Sequence, residues 1–232
     1  MNGLIIVPVY NEDKNLEYVI DALNGNFVAE NSLYINDGST DSSSEILKRK
    51  RVNYIEHPVN LGYVETLKTG MKYALLFGYE FVVFFDADGQ HRVEDLKKII
   101  QFYEAEKIDL ISGSRFKDGY PEEVTLRVRV NKLLAGIAGW ISKISITDST
   151  SGLKLISSRY LKTAISLSTE DMHAEFIIGM IQTGAGFREV QIKVDERIHG
   201  ESMYCFAKAL FYPVKTILCM FASIFVKIPK SE

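Results

Sequence analysis

Hydrophobic and polar positions in the first half of the chain come in blocks. Leu4 to Val9 is an unbroken apolar run rich in β-branched residues. Polar Asn11 to Lys14 follow, and then Leu16, Val19, Ile20 and Leu23 recur at helical spacing. The pattern predicts strand, loop, helix. The same alternation returns in Leu33 to Asn36 before the turn Asp37 to Ser43, and in Asn53 to Glu56 before a helix from about Tyr63 to Phe77. It returns again in Phe81 to Phe85 before a helix around Val93 to Tyr103, and a further strand is expected at Leu110 to Ser112. Short continuous apolar strands interleaved with helices predict an α/β fold with a mainly parallel central sheet flanked by helices on both faces. Ligands of such sheets bind beyond the carboxyl ends of the strands. Tyr10-Asn11-Glu12, Asp37-Gly38-Ser39 and Asp86-Ala87-Asp88 each follow a predicted strand end on that edge, and together they outline one site.

The second half is less regular. Arg115 to Arg127 reads as a polar loop with Gly119 and Pro121, and Val128 to Ile144 as a helix. After the segment Asp148 to Lys154 come a helix around Asp171 to Thr183, a strand Glu189 to Val194 and a loop Arg197 to Ser202. Ser42 and Glu45 have the spacing of a capping box. Glu12 and Asp37 have an alternative reading as helix-capping and first-turn acids.

A length of 232 residues suits one sizeable domain, read as residues 1–204, with 205–232 as a C-terminal amphipathic or apolar helical extension. At 47% hydrophobic and 25% charged residues the chain is neither disordered nor a membrane bundle. Its net charge of -3 argues against a nucleic-acid partner, because phosphate backbones are held by surplus Lys and Arg. Cys205 and Cys219 form no CxxC pair and are expected to be reduced thiols. The first apolar run gives way to Asn11-Glu12-Asp13-Lys14 too soon for a signal peptide, so a cytoplasmic location is expected.

Asp86 and Asp88 follow the bulky run Val82 to Phe85, where a buried strand meets water. Two carboxylates at close range repel each other and raise one pKa or strain the fold. A hard divalent ion, Mg²⁺ or Mn²⁺, removes the repulsion and prefers oxygen ligands, carboxylate and phosphate alike. Gly89 permits a tight turn, and Gln90 and His91 add polar groups. An Asp-x-Asp pair alone is a weak signal; its buried strand and its neighbours give it weight.

Taken in order, Pro8 to Glu12, Asn36 to Asp41, Asn60-Leu61-Gly62 and Asp86 to His91 resemble the family 2 glycosyltransferases of the GT-A fold. Gly113 to Phe116, Thr150 to Leu153 and Arg197 to Ser202 further resemble the dolichol- and polyprenyl-phosphate sugar synthase branch, and the likeness spans about residues 3–204. The resemblance implies a nucleotide-sugar pocket lined by Pro8, Tyr10, Asn11 and Glu12, with Asp37 bonded to the base. Gly62, Ala87 and Asp86 join the donor set, and Asp88 is the metal ligand with Asp86 and Gln90. It also implies an inverting, metal-dependent hexosyl transfer from a UDP- or GDP-sugar, in which the acceptor attacks directly and no enzyme nucleophile is needed.

The acceptor is read in two ways. A polyprenyl phosphate is already an anion and must be held by cations, for which Arg115, Arg127, Arg129 and Arg197 are the candidates. A hydroxyl of a lipid-linked glycan in surface polysaccharide synthesis needs a general base, and Asp171 or Glu175 then joins Asp88 and Arg115 as catalytic candidates. Thr216 to Val226 is an apolar run bounded by Lys215 and Lys227, shorter than the roughly 20 residues that span a bilayer. It is expected to lie at the inner face of the cell membrane with its lysines toward anionic headgroups, or else to dock on the domain or in a dimer. A separate transmembrane partner and homo-oligomerisation are left open. A phosphohydrolase of the haloacid dehalogenase type would carry its Asp-x-Asp on an early strand, which this chain does not. A non-catalytic sugar-nucleotide-binding protein is disfavoured by the presence of Asp88, Gln90 and Arg115.

Overall fold

The computed structural model describes residues 2–121, 125–167, 169, 171–195 and 206–223. The chain runs β1 (Gly3–Val9), α1 (Asp13–Asn24), β2 (Ser32–Asn36), α2 (Ser43–Lys50), β3 (Tyr54–Glu56), α3 (Tyr63–Phe77), β4 (Phe81–Phe84), α4 (Val93–Glu106), β5 (Leu110–Ser114), α5 (Leu126–Ser142), β6 (Lys154–Ser157), α6 (Ser158–Ser166), α7 (Ala174–Gln182), β7 (Phe187–Gln191) and α8 (Phe206–Ser223). The strands form one sheet in the order β3-β2-β1-β4-β6-β5-β7. All neighbours pair in parallel except β6, which runs antiparallel to both β4 and β5.

Both faces are covered, which is why the strands read as continuous apolar runs. On one face α1, α2 and α4 pack on Ile5, Val7, Val83, Phe85 and Leu155. On the other, α3, α5, α6, α7 and α8 pack on Leu4, Ile6, Val82, Phe84 and Ile156. The alternation along β6 therefore sends Leu155 to the first layer and Ile156 to the second. In α1 the four expected apolar residues, Leu16, Val19, Ile20 and Leu23, are all buried.

The expected parallel elements are present, and the differences have local causes. β6 and α6 were not anticipated. Two apolar residues, Leu155 and Ile156, are too few for a strand signal, and β6 exists because it fills the slot between β4 and β5. β5 extends through Gly113 and Ser114 because these pair with Val190 and Gln191 of β7. β7 starts two residues earlier than expected, and Val194 forms only an isolated bridge with His91. The capping box of Ser42 and Glu45 is not formed. Ser42 makes no side-chain cap bond, and Asp41 instead accepts from the Ser43 N–H at 2.9 Å.

Candidate active site

The loops after β1 and β2 are fastened to each other. Asn11, at a positive φ of 54°, donates its N–H to Ser39 Oγ (3.0 Å), and its Oδ1 accepts from Thr40 N (2.8 Å). Glu12 N–H donates to Ser43 Oγ and Asp13 N–H to Asp41 Oδ2. Glu12 sits at the capping position of α1 without a side-chain cap bond, and its carboxylate accepts from Asn15 Nδ2 at 2.8 Å. Pro8 lies within β1, opposite Ile35, and the Tyr10 ring stands 41% exposed above the ledge.

Asp37 is buried beneath this ledge. Its Oδ2 accepts from Gly62 N (2.8 Å), and its Oδ1 accepts from Leu61 N (2.9 Å) and meets His57 Nδ1 at 2.7 Å. Burial alone would raise its pKa, but the bonds from His57, Leu61 and Gly62 hold it below the usual carboxylate range. Gly62 opens α3 at φ 94°, a conformation that favours glycine. With its oxygens turned to these groups, Asp37 organises the Leu61-Gly62 turn and presents little carboxylate to a base. His57 carried no sequence signal.

The Asp86 to His91 loop leaves β4 at the same edge. Asp86 Oδ1 accepts from the Tyr63 hydroxyl (3.1 Å), and Oδ2 faces His91 Nε2 (3.3 Å). Burial would raise the Asp86 pKa; the contacts with His91 and then Tyr63 more than offset that and lower it. Burial pushes the Tyr63 hydroxyl well up, and the charges of Asp86, Asp88 and Asp171 push the same way. Ala87 is buried and anchors the loop in the core. Asp88 Oδ1 accepts from Gln90 N at 3.0 Å. The Gln90 side chain donates through Nε2 to the Asp195 carbonyl at 3.1 Å, near the β7 exit, where Arg92 and Asp195 also pair.

The 148–152 turn, before β6, closes the site. Arg115 grips Asp148 through Nε (2.6 Å) and Nη2 (2.8 Å), and Nη2 also meets Thr150 Oγ1. Asp148 is fully buried; burial would raise its pKa, and the Arg115 contacts lower it. Arg115 is therefore the partner of a buried acid, with its Nε and Nη2 engaged by Asp148 and Thr150. Lys154, fully buried, donates to the Ser151 carbonyl. Burial pulls its ammonium down to about 8, while Asp148, Asp171 and Asp86 act in the opposite sense. Burial likewise lowers His173, just before α7. Asp171 Oδ1 accepts from His173 N (2.9 Å), and Glu175 lies half-buried in the first turn of α7.

Buried polar atoms without a protein partner gather around this turn: His91 Nδ1, Asn131 Nδ2, Ser149 Oγ, Ser151 Oγ and His173 Nδ1. Such groups are normally satisfied, so their concentration fits a polar ligand or ordered water. Among the described residues no three His, Cys, Asp or Glu side chains form a protein-only metal cage. Mg²⁺ and Mn²⁺ need no such cage when a diphosphate supplies the remaining oxygens, and Asp88, with Asp86 fixed behind it, suits that shared arrangement. Arg129 is exposed on α5; the Arg127 side chain and Arg197 lie outside the described residues. Tyr63, Asp148 and Lys154 were missed as site residues, although Lys154 directly follows the Thr150 to Leu153 segment singled out in the sequence.

A sheet whose C-terminal edge carries an Asp-x-Asp loop and an interlocked pair of loops beside it has the GT-A architecture of nucleotide-sugar transferases. Residues 4–163 match glycosyl transferase family 2, and the chain belongs to that family as a glycosyltransferase. It is 32% identical over 193 residues to the UDP-N-acetylglucosamine–dolichyl-phosphate N-acetylglucosaminyltransferase of Methanococcus voltae, covering 74% of each chain. It is 26% identical to the polyprenol monophosphomannose synthase of Mycolicibacterium smegmatis, over 86% of this chain and 79% of that one. Among solved structures, glucosyl-3-phosphoglycerate synthase from Mycobacterium tuberculosis, in complex with Mn²⁺, UDP and glucosyl-3-phosphoglycerate, superimposes with a TM-score of 0.73. That likeness is at 16% identity, over 97% of this chain and 80% of that one.

Proposed function

We propose that this glycosyltransferase moves a sugar from a nucleoside diphosphate donor, UDP- or GDP-linked, to a polyprenyl phosphate at a membrane surface, with inversion at the anomeric carbon. The observation that carries this reading is the contact, on one sheet edge, of the Asp86–Asp88 loop with the 148–152 turn, where Gly152 lies against Asp86 Oδ2 while Tyr63 donates to Oδ1. The curated relatives named for dolichyl and polyprenyl acceptors support the acceptor class.

In this reading Tyr10, Asn11 and Glu12 line the nucleoside pocket, and Asp37 shapes its floor through Leu61 and Gly62. Asp88, with Asp86 held by Tyr63 and His91, would hold Mg²⁺ or Mn²⁺ against the diphosphate. A divalent ion bound there offsets the charge that grows on the departing diphosphate. The phosphate acceptor needs no base, and among the described arginine side chains Arg115 and the exposed Arg129 on α5 are the candidates to attract it.

The membrane face is supplied by two helices. Leu126, Leu133 and Trp140 stand exposed along α5 at heptad spacing, and Val214, Leu218 and Phe221 stand exposed on α8, with Trp140 and Phe221 rings 6.5 Å apart. Exposed large apolar side chains gathered on neighbouring helices are a feature of interaction sites. The opposite side of α8 docks on the domain through Thr216 and Met220. Among the described residues no helix is long and apolar enough to cross a membrane.

A second reading, transfer to a glycan hydroxyl, is favoured by the commitment of Arg115 to Asp148. The test is transfer from a panel of UDP- and GDP-sugars, with Mn²⁺ or Mg²⁺, to undecaprenyl and dolichyl phosphate in detergent, followed by mass spectrometry of the lipid. A glycosylated lipid phosphate establishes donor and acceptor together. Donor binding with unmodified lipid phosphate replaces this reading with the second, in which Asp171 or Glu175 serves as base.

A further inference from the structure

Lys154 is among the largest fully buried side chains of the molecule. Lysines are almost never fully buried without a partner, because desolvating an ammonium costs far more than filling the same space with Leu or Met. Its backbone lies opposite Phe84 of β4 and Ser112 of β5, so its strand runs directly beneath the exits that lead to Asp86 and to Arg115. The alternation of β6 puts it on the same face as Ile156, the layer of α3, α5 and α7. There the acids acting on the ammonium are Asp148, Asp171 and Asp86, contributed by the turn before β6, the segment before α7 and the loop after β4. Arg115 offsets Asp148 through its forked contact, and the Ser151 carbonyl that holds the ammonium directly precedes Gly152, which lies against Asp86 Oδ2.

We propose that Lys154 is a positioning residue of the donor site: its ammonium, held by the Ser151 carbonyl, is a fixed counter-charge that tempers the pull of Asp86 on a divalent cation and keeps the site receptive to a diphosphate. This rests on the reading that cation and diphosphate meet at Asp86 and Asp88. The physical reason is a conflict of signs. Carboxylates that attract a dication repel the diphosphate that must share it, and in a poorly solvated site both effects are large. A resident monocation weakens the first and relieves the second. A packing role would not require a charge, whereas this role requires the charge and tolerates some change of shape.

Mn²⁺ and nucleotide binding are therefore measured separately on the full chain. Free Mn²⁺ is followed by electron paramagnetic resonance, and UDP binding is followed by calorimetry at saturating Mn²⁺. In Lys154→Met the two affinities should move in opposite directions, Mn²⁺ alone binding about tenfold tighter and UDP about tenfold weaker. Lys154→Arg, which keeps the charge, should stay within about threefold of wild type on both. Loss of both affinities together in Lys154→Met, or no change in either, overturns the proposal. If the Met variant folds only when Mn²⁺ is added, the dication is replacing the lost charge and the proposal stands. If it stays unfolded with Mn²⁺ and UDP present, Lys154 is a core strut and the proposal is wrong. A wild-type chain that takes up no Mn²⁺ with UDP removes the donor-site reading itself, an outcome distinct from the behaviour of the variants.

Discussion

Gly152 lies against the carboxylate of Asp86, so close that a methyl group on its Cα would overlap Asp86 Oδ2 and come within 3.4 Å of His91 Nε2. The turn before β6 and the loop after β4 are thus packed backbone to carboxylate. Gly152→Ala should displace Asp86 from its contacts with Tyr63 and His91. The expected cost is about 1–3 kcal/mol of stability, as in other overpacked sites, with loss of UDP binding measured by calorimetry. A variant that binds UDP normally would show that Asp86 can move without consequence.

Asp88→Ala should abolish sugar transfer while leaving the melting temperature within a few degrees, because Asp88 is only half-buried at the loop mouth. Wild-type transfer should stop in EDTA and return with Mn²⁺ or Mg²⁺. Transfer undiminished by EDTA would remove the cation from the reaction.

The Arg115–Asp148 pair sets a pH expectation. The Asp148 pKa is lowered in the fold, so its contribution is fully present above the unfolded value of about 3.9 and is lost as pH falls through the folded value. Asp148→Asn should flatten this acid limb. It should also cost about 3–5 kcal/mol at neutral pH, because Arg115 then keeps a buried charge without its partner. Urea unfolding across the acid range reads both effects.

For Lys154 the sign is reversed. Its ammonium titrates near 8 in the fold and near 10.4 in the unfolded chain, so between these values the unfolded state binds more protons and stability rises with pH. The full rise is about 3 kcal/mol, from about 1.4 kcal/mol per unit of pKa difference. The comparison of denaturation midpoints for wild type and Lys154→Met between pH 7.5 and 10 isolates it. Parallel curves for the two proteins would contradict the burial of a charged amine.

Trp140 is the only tryptophan in the chain, so its emission reports on the α5–α8 face. Vesicles containing anionic phospholipid should shift that emission to the blue. Leu218→Glu should weaken vesicle co-sedimentation by about tenfold or more, the scale expected from withdrawing one large apolar side chain and adding a charge. Unchanged emission on vesicle addition would mean that the face meets something other than lipid.

Much of the donor edge was legible because its signals are local. Leu4 to Val9 and Phe81 to Phe85 are apolar runs long enough to declare strands, and the polar residues that follow each are fixed to that edge by topology. Asp86 and Asp88 could be placed from their own neighbours in sequence. The residues that were missed or misread depend on distant partners. Nothing near Arg115 reveals that Asp148 will occupy its guanidinium, and nothing near Lys154 shows that a lysine will end fully buried. The Ser42 and Glu45 spacing was misleading for a similar reason, since Asp41 had already taken the Ser43 N–H. β6 has too few apolar residues to show a period, and it owes its existence to the gap between two strands formed earlier in the chain.

The reversed direction of β6 has a consequence for the nascent polypeptide. β1 to β4 are complete by residue 84, and Asp86 and Asp88 emerge directly after them. Gly152, which packs against Asp86, and Lys154, which begins β6, lie more than sixty residues further on. A ribosome-bound chain that has finished its nucleoside-side loops therefore still presents a half-walled carboxylate pair. The enclosure forms only when the second half returns to lay β6 between β4 and β5. Competence for transfer is thus tied to a late long-range pairing of the sheet, a slow step by its loop-closure cost, and truncated translation products would carry the Asp-x-Asp loop without its enclosure.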